Sequence, residues 1–243
     1  MDLSILGCGR FQITSNYNST GNLVSTAHTN ILVDFGRGCL KALTQLGKTV
    51  EEIDAICITH VHPDHVADLL SFFQIYTLTC PTKSLTIVGP VGIDDWVETV
   101  LNLVYETRLT ALQIIAAPAE VHIGDVWVST AAMVHSVPDV AYRFTADDSS
   151  IVYSGDTGFT PALIDFAEDC DLLLLECSNA SGVVTEYHLN PEQCGQVATQ
   201  AAAKHLVLTH YGAKELEPTL LSATSKHFNG ILTLAKELST FEL

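Results

Sequence analysis

A seven-residue stretch, Thr59 to His65, contains four side chains that are able to bind a divalent metal ion. They are imidazoles and one carboxylate, the nitrogen and oxygen ligands that zinc accepts. The four are His60, His62, Asp64 and His65. An apolar, β-branched run of strand length precedes the stretch, and apolar residues at helical spacing follow it. The pattern predicts a strand-to-helix turn, which points consecutive side chains into one cavity.

Other apolar runs of strand length also end close to a side chain that binds metal or carries a proton. The side chains that follow such runs are His60, Asp156, Glu176 and His210, and His135 follows the run Thr130 to Val134. In α/β proteins the ends of strands are where sites are assembled. We therefore expect the fold to bring these side chains to one place.

Strand patterns alternate with helical patterns in both halves of the chain. The 243 residues are 47% hydrophobic, which is enough for a substantial core. We predict a single domain, residues 1–243, with two sheets packed together and helices outside. The tail, with Leu220, Leu221 and the run from Ile231 to Leu238, is interpreted as closing helices.

The chain is strongly acidic, with 28 acidic and 11 basic residues and a formal net charge of -17. Sequence-independent binding of nucleic acid relies on many Lys and Arg side chains that neutralise phosphates. The balance therefore argues against a long RNA or DNA partner. Two divalent cations would restore positive potential at one spot, which favours a small anionic substrate.

The seven cysteines show no CxxC pairing and lie mostly in apolar surroundings. We interpret them as free thiols in a reducing compartment. The first residues lack the basic region of a signal peptide, and no apolar run approaches the ~18 residues of a membrane span. These features predict a cytoplasmic protein with no membrane partner.

The motif His60-x-His62-x-Asp64-His65 resembles the signature of the metallo-β-lactamase-fold hydrolases. Four flanking segments look most like the ribonuclease Z branch and its phosphodiesterase relatives; they are Leu32–Gly36, Ile87–Pro90, His135–Pro138 and Leu208–His210. The resemblance covers most of the chain. It implies an α/β (α+β) fold, the four-layer αββα sandwich called the metallo-β-lactamase fold.

The resemblance also implies two divalent metal ions, Zn²⁺ first, with Mn²⁺ or Fe left open. The first would be held by His60, His62 and His135, the second by Asp64, His65 and His210, and Asp156 would bridge the two. Asp34 matches an aspartate that, in the family, supports the metal ligands without binding the metal itself. A pair of such cations lowers the pKa of a water between them and polarises the bond under attack.

A catalytic pair is implied in the same way. In ribonuclease Z relatives a histidine in a loop before a helix pairs with a glutamate at the end of an earlier strand, and here these are His188 and Glu176. His188 would be the general acid and Glu176 would orient it, while Asp64 assists the attacking water. A structural loop pair that uses Glu186 is the alternative.

Substrate contacts are less defined by the sequence. The polar loop from Gln12 to Asn22 resembles one that reaches the active site in relatives, so Asn18 and Ser19 are candidates, with a solvated turn as the alternative. Lys214 stands near the place of a substrate-binding arginine, but offers only a point charge. The long glycine- and proline-rich arm that holds tRNA in ribonuclease Z has no counterpart here.

The leading hypothesis is a dinuclear hydrolase that cleaves a small phosphodiester, a cyclic nucleotide or a short oligonucleotide, with a metal-activated hydroxide. A lactonase, thioesterase or other carboxyl-ester hydrolase is the first alternative, and a ribonuclease Z-type RNA endonuclease is another. A metal-dependent binding protein without activity is the alternative outside enzymes. The resemblance also leaves a homodimer open.

Overall fold

The computed structural model describes residues 1–12, 15–104, 109, 111–212 and 217–243. In the first half of the chain the elements are β1 (Asp2–Gly7), β2 (Gly21–Ser25), β3 (Asn30–Phe35), α1 (Cys39–Gln45), a 3-10 helix (Val50–Glu52), β4 (Ala55–Cys57), α2 (Pro63–Val66), α3 (Leu69–Thr79), β5 (Leu85–Gly89), α4 (Ile93–Val104) and β6 (Leu112–Ala116). In the second half they are β7 (Glu120–Ile123), β8 (Val126–Ala132), β9 (Val140–Ala146), β10 (Ser149–Tyr153), α5 (Pro161–Phe166), β11 (Leu172–Glu176), α6 (Pro191–Gln200), β12 (His205–Thr209), α7 (Glu217–Thr224), β13 (Ile231–Leu234) and β14 (Thr240–Glu242). None of these helices is long and apolar enough to cross a bilayer.

Within the described residues the strands form two mixed sheets of seven strands each. The first has the order β14-β1-β2-β3-β4-β5-β6, and its strands from β3 to β6 are parallel. The second has the order β13-β12-β11-β10-β9-β8-β7, and its strands from β10 to β13 are parallel. Each sheet is therefore half antiparallel and half parallel.

The central strands are buried on both faces, which explains their continuous apolar sequences. In β3, Ile31 and Val33 belong to the core between the two sheets, whereas Leu32 belongs to the core between the first sheet and its helices. Successive side chains of a strand point to opposite faces, so one run supplies both cores. Phe72 of α3 packs edge-on against Phe35 of β3 with ring centroids 6.0 Å apart.

Helices also cover the outer face of the second sheet. Cys194, Val197 and Ala198 of α6 are buried in the same core as the strands of that sheet. The order of layers is thus helix, sheet, sheet, helix. The αββα sandwich implied by the resemblance is confirmed.

The interpretation of the run Ile231 to Leu238 as helical is wrong. Ile231–Leu234 is strand β13, which pairs in parallel with β12, and the short strand β14 pairs antiparallel with β1. A short apolar run fits a helix or a strand equally well by periodicity. The free backbone groups at the edges of β12 and β1 decide the outcome, because pairing satisfies them. Leu220 does lie in a helix, α7.

The two sheets meet at the edge where the motif lies. The backbone N–H of Val140, at the start of β9, donates to the carbonyl of Thr59 at 3.1 Å. The Tyr142 hydroxyl donates to the carbonyl of Ile58 at 2.8 Å. The N–H of Tyr211 donates to the carbonyl of Cys8 at 3.2 Å. These bonds bring the loops that follow the parallel strands of both sheets to one side of the sandwich.

Candidate metal centre

The turn after β4 places the four motif side chains. His62 has an extended backbone and precedes Pro63, which begins helix α2 and has a φ angle suited to the first turn. Asp64 and His65 therefore lie in the first helical turn, and His60 lies before it. A Cβ atom at Gly36 would stand 2.0 Å from the carbonyl oxygen of Asp64. Only glycine lets the loop after β3 approach α2 this closely.

The fold brings all seven candidate ligands together. Ligand atoms lie within 4.8 Å of one another in the group His60, His62 and His135, and in the group Asp64, His65 and His210. The same holds for His60, His65 and Asp156. The first two groups have the same members as the two ligand sets that the resemblance implies, and their residues come from loops of both sheets.

Asp156 lies between the two groups of three. Its Oδ1 is 3.5 Å from His65 Nε2 and 3.3 Å from His210 Nδ1. Its Oδ2 is 4.0 Å from His60 Nε2. Each carboxylate oxygen thus faces a different group of three.

The centre contains buried polar atoms that a bound cation would satisfy. Among the described residues, His60 Nε2, Asp156 Oδ1 and His210 Nδ1 are buried and have no hydrogen-bonding partner. Buried polar atoms without partners are rare and call for an explanation. Imidazole nitrogens and carboxylate oxygens that converge in this way fit a divalent cation. The residues present therefore fit the metal ions that the resemblance implies.

Asp34 orients His65, as the resemblance implied. Its Oδ2 accepts a hydrogen bond from His65 Nδ1 at 2.7 Å, and its Oδ1 accepts one from the N–H of Thr59 at 2.8 Å. With Nδ1 engaged by Asp34, His65 Nε2 is the nitrogen that faces the centre. Asp34 and His210 adopt φ angles of 54° and 55°, a left-handed conformation that residues other than glycine rarely take and that clusters at functional sites.

Asp139 performs the same task for His60, and the sequence reasoning missed it. Its Oδ2 lies 2.7 Å from His60 Nδ1, and both side chains are fully buried. A second hydrogen bond, 3.3 Å long, runs from the backbone N–H of Asp156 to the same oxygen. The available signal was an acidic residue directly after the segment His135–Pro138. Its partner is distant in sequence, so spacing alone did not reveal it.

Burial and neighbouring charges set the protonation of the centre. Burial lowers the pKa of His60 far below its ordinary value. Burial also lowers the pKa of His135 to about 4, helped by His188 and opposed by Asp156. Burial would raise the pKa of Asp156, but His210 and His65 hold it well below its ordinary value. At neutral pH the two imidazoles are neutral and the carboxylate is ionised, the forms that bind metal.

His188, which is partly exposed, pairs with the fully buried Glu176 beside the centre. His188 Nδ1 donates to Glu176 Oε1 at 2.9 Å. Glu176, at the end of β11, also accepts from the N–H groups of Ser178 at 2.8 Å and Thr157 at 3.2 Å, so its carboxylate is fixed. Burial alone would lower the pKa of His188, but Glu176 raises it above its ordinary value. In the described chain, the ion pairs of His188 are with Glu176 and, at 3.9 Å, with Asp156.

A cavity of about 440 Å³ opens onto the centre. It is lined by Phe11, His62, Pro63, Asp64, His135, Ser136, Asp156, Thr185, Tyr187, His188 and His210. The His188 ring lies 5.4 Å from the His135 ring and 6.0 Å from the His210 ring. The His188 ring is therefore close to one member of each group of three candidate ligands. Phe11 and Tyr187 were not among the predicted site residues.

Asn18 and Ser19, the predicted substrate contacts, lie outside the cavity lining. Asn18 Nδ2 donates to the carbonyl of Leu6 at 3.0 Å, and Ser19 is buried, with its Oγ accepting from Arg37 Nη2 at 3.1 Å. Neither residue lines the cavity, and both stabilise the base of the loop after β1. Lys214 lies outside the described residues.

Comparison with known proteins shows which family the chain resembles in sequence and structure. Residues 29–211 match the family model described as a beta-lactamase superfamily domain. The chain is similar to the probable metallo-hydrolase YhfI of Bacillus subtilis, with 27% identity over 242 residues, 97% of each protein. The crystal structure of YhfI has a TM-score of 0.87, 26% identity and coverage of 100% of this chain and 99% of its own.

Two nucleases are also similar. Ribonuclease Z of Clostridioides difficile is 33% identical over 150 residues, which are 59% of this chain and 49% of that protein. The crystal structure of the short form of human tRNase Z has a TM-score of 0.80 and 20% identity, and covers 100% of this chain and 99% of its own. At that identity the likeness to the human enzyme concerns the fold.

Proposed function

Because this chain belongs to the beta-lactamase superfamily and is a metal-dependent hydrolase with the metallo-β-lactamase fold, we propose that it is a dinuclear phosphodiesterase. Its substrate is a small phosphodiester such as a cyclic nucleotide or a short oligonucleotide. One cation, Zn²⁺ as the first choice, would be held by His60, His62 and His135. The other would be held by Asp64, His65 and His210, and Asp156 would be shared between them.

The observation that carries the proposal is the hydrogen bond of 2.9 Å between His188 Nδ1 and Glu176 Oε1. The carboxylate stabilises the protonated imidazole and leaves Nε2–H free to donate. His188 lines the cavity, so this proton is available to the oxygen that leaves phosphorus. The alkoxide that departs from a phosphodiester is a poor leaving group and gains from such an acid. Lactones and thioesters depend on it less.

The remaining residues position the reactants. When bound, two cations lower the pKa of a water and offset the charge of the phosphate. The Asp64 carboxylate lines the cavity and holds the attacking water by accepting its hydrogen bond. Glu176 keeps His188 aligned because three backbone N–H groups fix its carboxylate; they belong to Thr157, Ser178 and Leu189.

Charge and size support a small substrate. The net charge of -17 repels a long polyanion, since nucleic-acid affinity depends on cationic side chains along the backbone. The cavity of about 440 Å³ lies within the range typical of small-molecule sites. Relatives named ribonuclease Z support phosphodiester chemistry in this branch of the family.

The test compares hydrolysis of a cyclic nucleotide and of a dinucleotide, whose departing oxygen is an alkoxide, by the wild type and by His188→Ala, with the metal content of each protein measured. We expect turnover by the wild type and a loss of about 10²–10⁴-fold in the variant, the usual contribution of a positioned acid. The matched control is His28→Ala, because His28 is exposed and away from the cavity lining; its turnover should equal that of the wild type.

Each other result has a definite meaning. Full activity of a metal-loaded His188→Ala protein would overturn the role of His188 as the acid. Two bound metals with turnover of aryl carboxylic esters, but not of phosphodiesters, would overturn the substrate class. A function as lactonase, thioesterase or other carboxyl-ester hydrolase would then replace it.

A further inference from the structure

We infer that Phe11 and Tyr187 form an aromatic subsite that binds a nucleobase of the substrate beside the metal centre. The inference rests on the proposed phosphodiesterase function and narrows it to diesters that carry an aromatic base. Both rings line the same cavity as the candidate ligands. They come from loops on two different sheets, the loop after β1 and the loop after β11.

Phe11 lines the cavity from a segment, residues 10–12, that contacts hold in position. Its side chain is 63% exposed, so the face of the ring is accessible to a ligand. Arg37 Nη2 donates to the carbonyl of Phe11 at 2.7 Å. The Arg10 guanidinium lies 5.5 Å from the centroid of the ring, within the range of a cation–π contact. The backbone and the ring are therefore both positioned.

Arg10 also ties the two loops together. Its Nη1 donates to the carbonyl of Ser178 at 2.7 Å, and its Nε donates to Gln12 Oε1 at 3.2 Å. Ser178 begins the loop that later carries Tyr187 and the proposed acid. The charge of Arg10 is thus used for structure, and the ring beside it is the part that faces the cavity.

Tyr187 forms a second wall at the mouth of the cavity. Its carbonyl accepts a hydrogen bond from His135 Nδ1 at 3.4 Å, and its ring lies 6.0 Å from the His135 ring at an angle of 80°. A Cβ atom at Gly158 would meet the carbonyl oxygen of Glu186 at 1.9 Å, so the loop packs closely on the segment after Asp156. The Tyr187 ring remains 36% exposed.

An aromatic base is the group that suits this arrangement. Every base offers a π face, and stacking on aromatic side chains is tolerant of base identity. A diester of this kind would place its phosphate at the cations and its base against Phe11 and Tyr187. A purely alkyl diester would leave the rings exposed to water.

The test uses two diesters with the same leaving group, the para-nitrophenyl ester of thymidine monophosphate and methyl para-nitrophenyl phosphate. The measured quantity is the ratio of their kcat/KM values in metal-loaded protein. Phe11→Ala and Tyr187→Ala should each lower this ratio by about tenfold, mainly through KM for the nucleotide. Phe11→Tyr, which keeps the ring, should preserve it.

Leu78→Ala is the matched control, because Leu78 is 64% exposed on α3 and does not line the cavity. Its ratio should equal that of the wild type. An unchanged ratio in Phe11→Ala and in Tyr187→Ala would overturn the subsite even if both diesters are hydrolysed.

A binding measurement separates this inference from the proposed function. Calorimetry on metal-loaded protein compares adenosine monophosphate with ribose phosphate, which lacks the base. Tighter binding of the nucleotide that is lost in Phe11→Ala would support the subsite even if the wild type hydrolyses neither diester, a result that contradicts the proposed function alone. Equal affinities for the two ligands in the wild type would overturn the subsite.

Discussion

Asp139 Oδ2 lies 2.7 Å from His60 Nδ1, and both side chains are fully buried. The same oxygen accepts a hydrogen bond from the backbone N–H of Asp156 at 3.3 Å. Burial raises the pKa of Asp139 well above its ordinary value, so the cost of charge at this position is large unless partners offset it. One carboxyl group thus fixes two candidate metal ligands at once.

We expect Asp139→Ala to weaken zinc binding by about 10–100-fold, because a metal-binding histidine depends on the partner of its other nitrogen. The measurement is a competition titration with a chelator of known affinity. Asp148→Ala is the control, since Asp148 is an exposed turn residue. Equal zinc affinity in the two variants would contradict the orienting role of Asp139.

Removal of metal should lower the melting temperature. Without a cation, His60 Nε2, Asp156 Oδ1 and His210 Nδ1 are buried atoms without partners among the described residues. A ligand present at about 1,000 times its Kd stabilises the folded state by about 4 kcal/mol. Thermal melts with chelator and with restored zinc measure the shift. The double variant His60→Ala, His65→Ala should show little shift, and a wild type that melts identically in both conditions would contradict the metal assignment.

Gly36→Ala should displace helix α2 and with it the candidate ligands Asp64 and His65. A Cβ atom at this position would stand 2.0 Å from the carbonyl oxygen of Asp64, so α2 must move. We expect the free energy of unfolding to fall by roughly 1–3 kcal/mol, together with zinc affinity. Chemical denaturation and the chelator titration measure the two effects.

Gly182→Ala serves as the control for Gly36→Ala. Gly182 has a φ of 76°, and a Cβ atom there would have no described residue within 4 Å apart from its chain neighbours. The substitution therefore costs only backbone strain, about 1–2 kcal/mol. It should lose stability and keep its zinc affinity. Retained zinc affinity in Gly36→Ala would show that the contact with Asp64 does not position the ligands.

Asp171, which is not part of the candidate metal centre, should make the free energy of unfolding depend on pH. Its Oδ2 accepts from the N–H of Ser150 at 2.7 Å and from Ser150 Oγ at 3.1 Å. Burial would raise the pKa of Asp171, but hydrogen bonds from Lys204 and Ser150 lower it. Since the folded pKa is below the unfolded value of about 3.9, the stabilisation is present above that value and is lost as pH falls through the folded pKa.

Asp171→Ala should therefore lower the free energy of unfolding by about 1 kcal/mol at pH 7, and the difference from the wild type should shrink toward about pH 3. Urea denaturation at both pH values measures it, with Asp148→Ala as a surface control. A difference that stays constant over this range would show that the ionised carboxylate is not the source of the effect.

Local sequence accounts for a large part of the site. The motif turn follows from an apolar strand run, from Pro63 at the start of α2 and from helical spacing beyond it. The resemblance supplied the distant members, His135, Asp156 and His210, and the structure brings them within 4.8 Å of their groups. Phe11 gave no signal, because an exposed aromatic residue in a polar loop has no pattern of its own.

The sequence by itself determined which segments are strands in the buried centre of each sheet and which side chains carry metal chemistry, because burial on both faces and ligand type are properties of short stretches. Only the tertiary structure decided that Asp139 supports His60, that β13 and β14 are edge strands, and that Phe11 faces the cavity. These are contacts between segments far apart in the chain. They depend on how two sheets pack against each other, which no local spacing encodes.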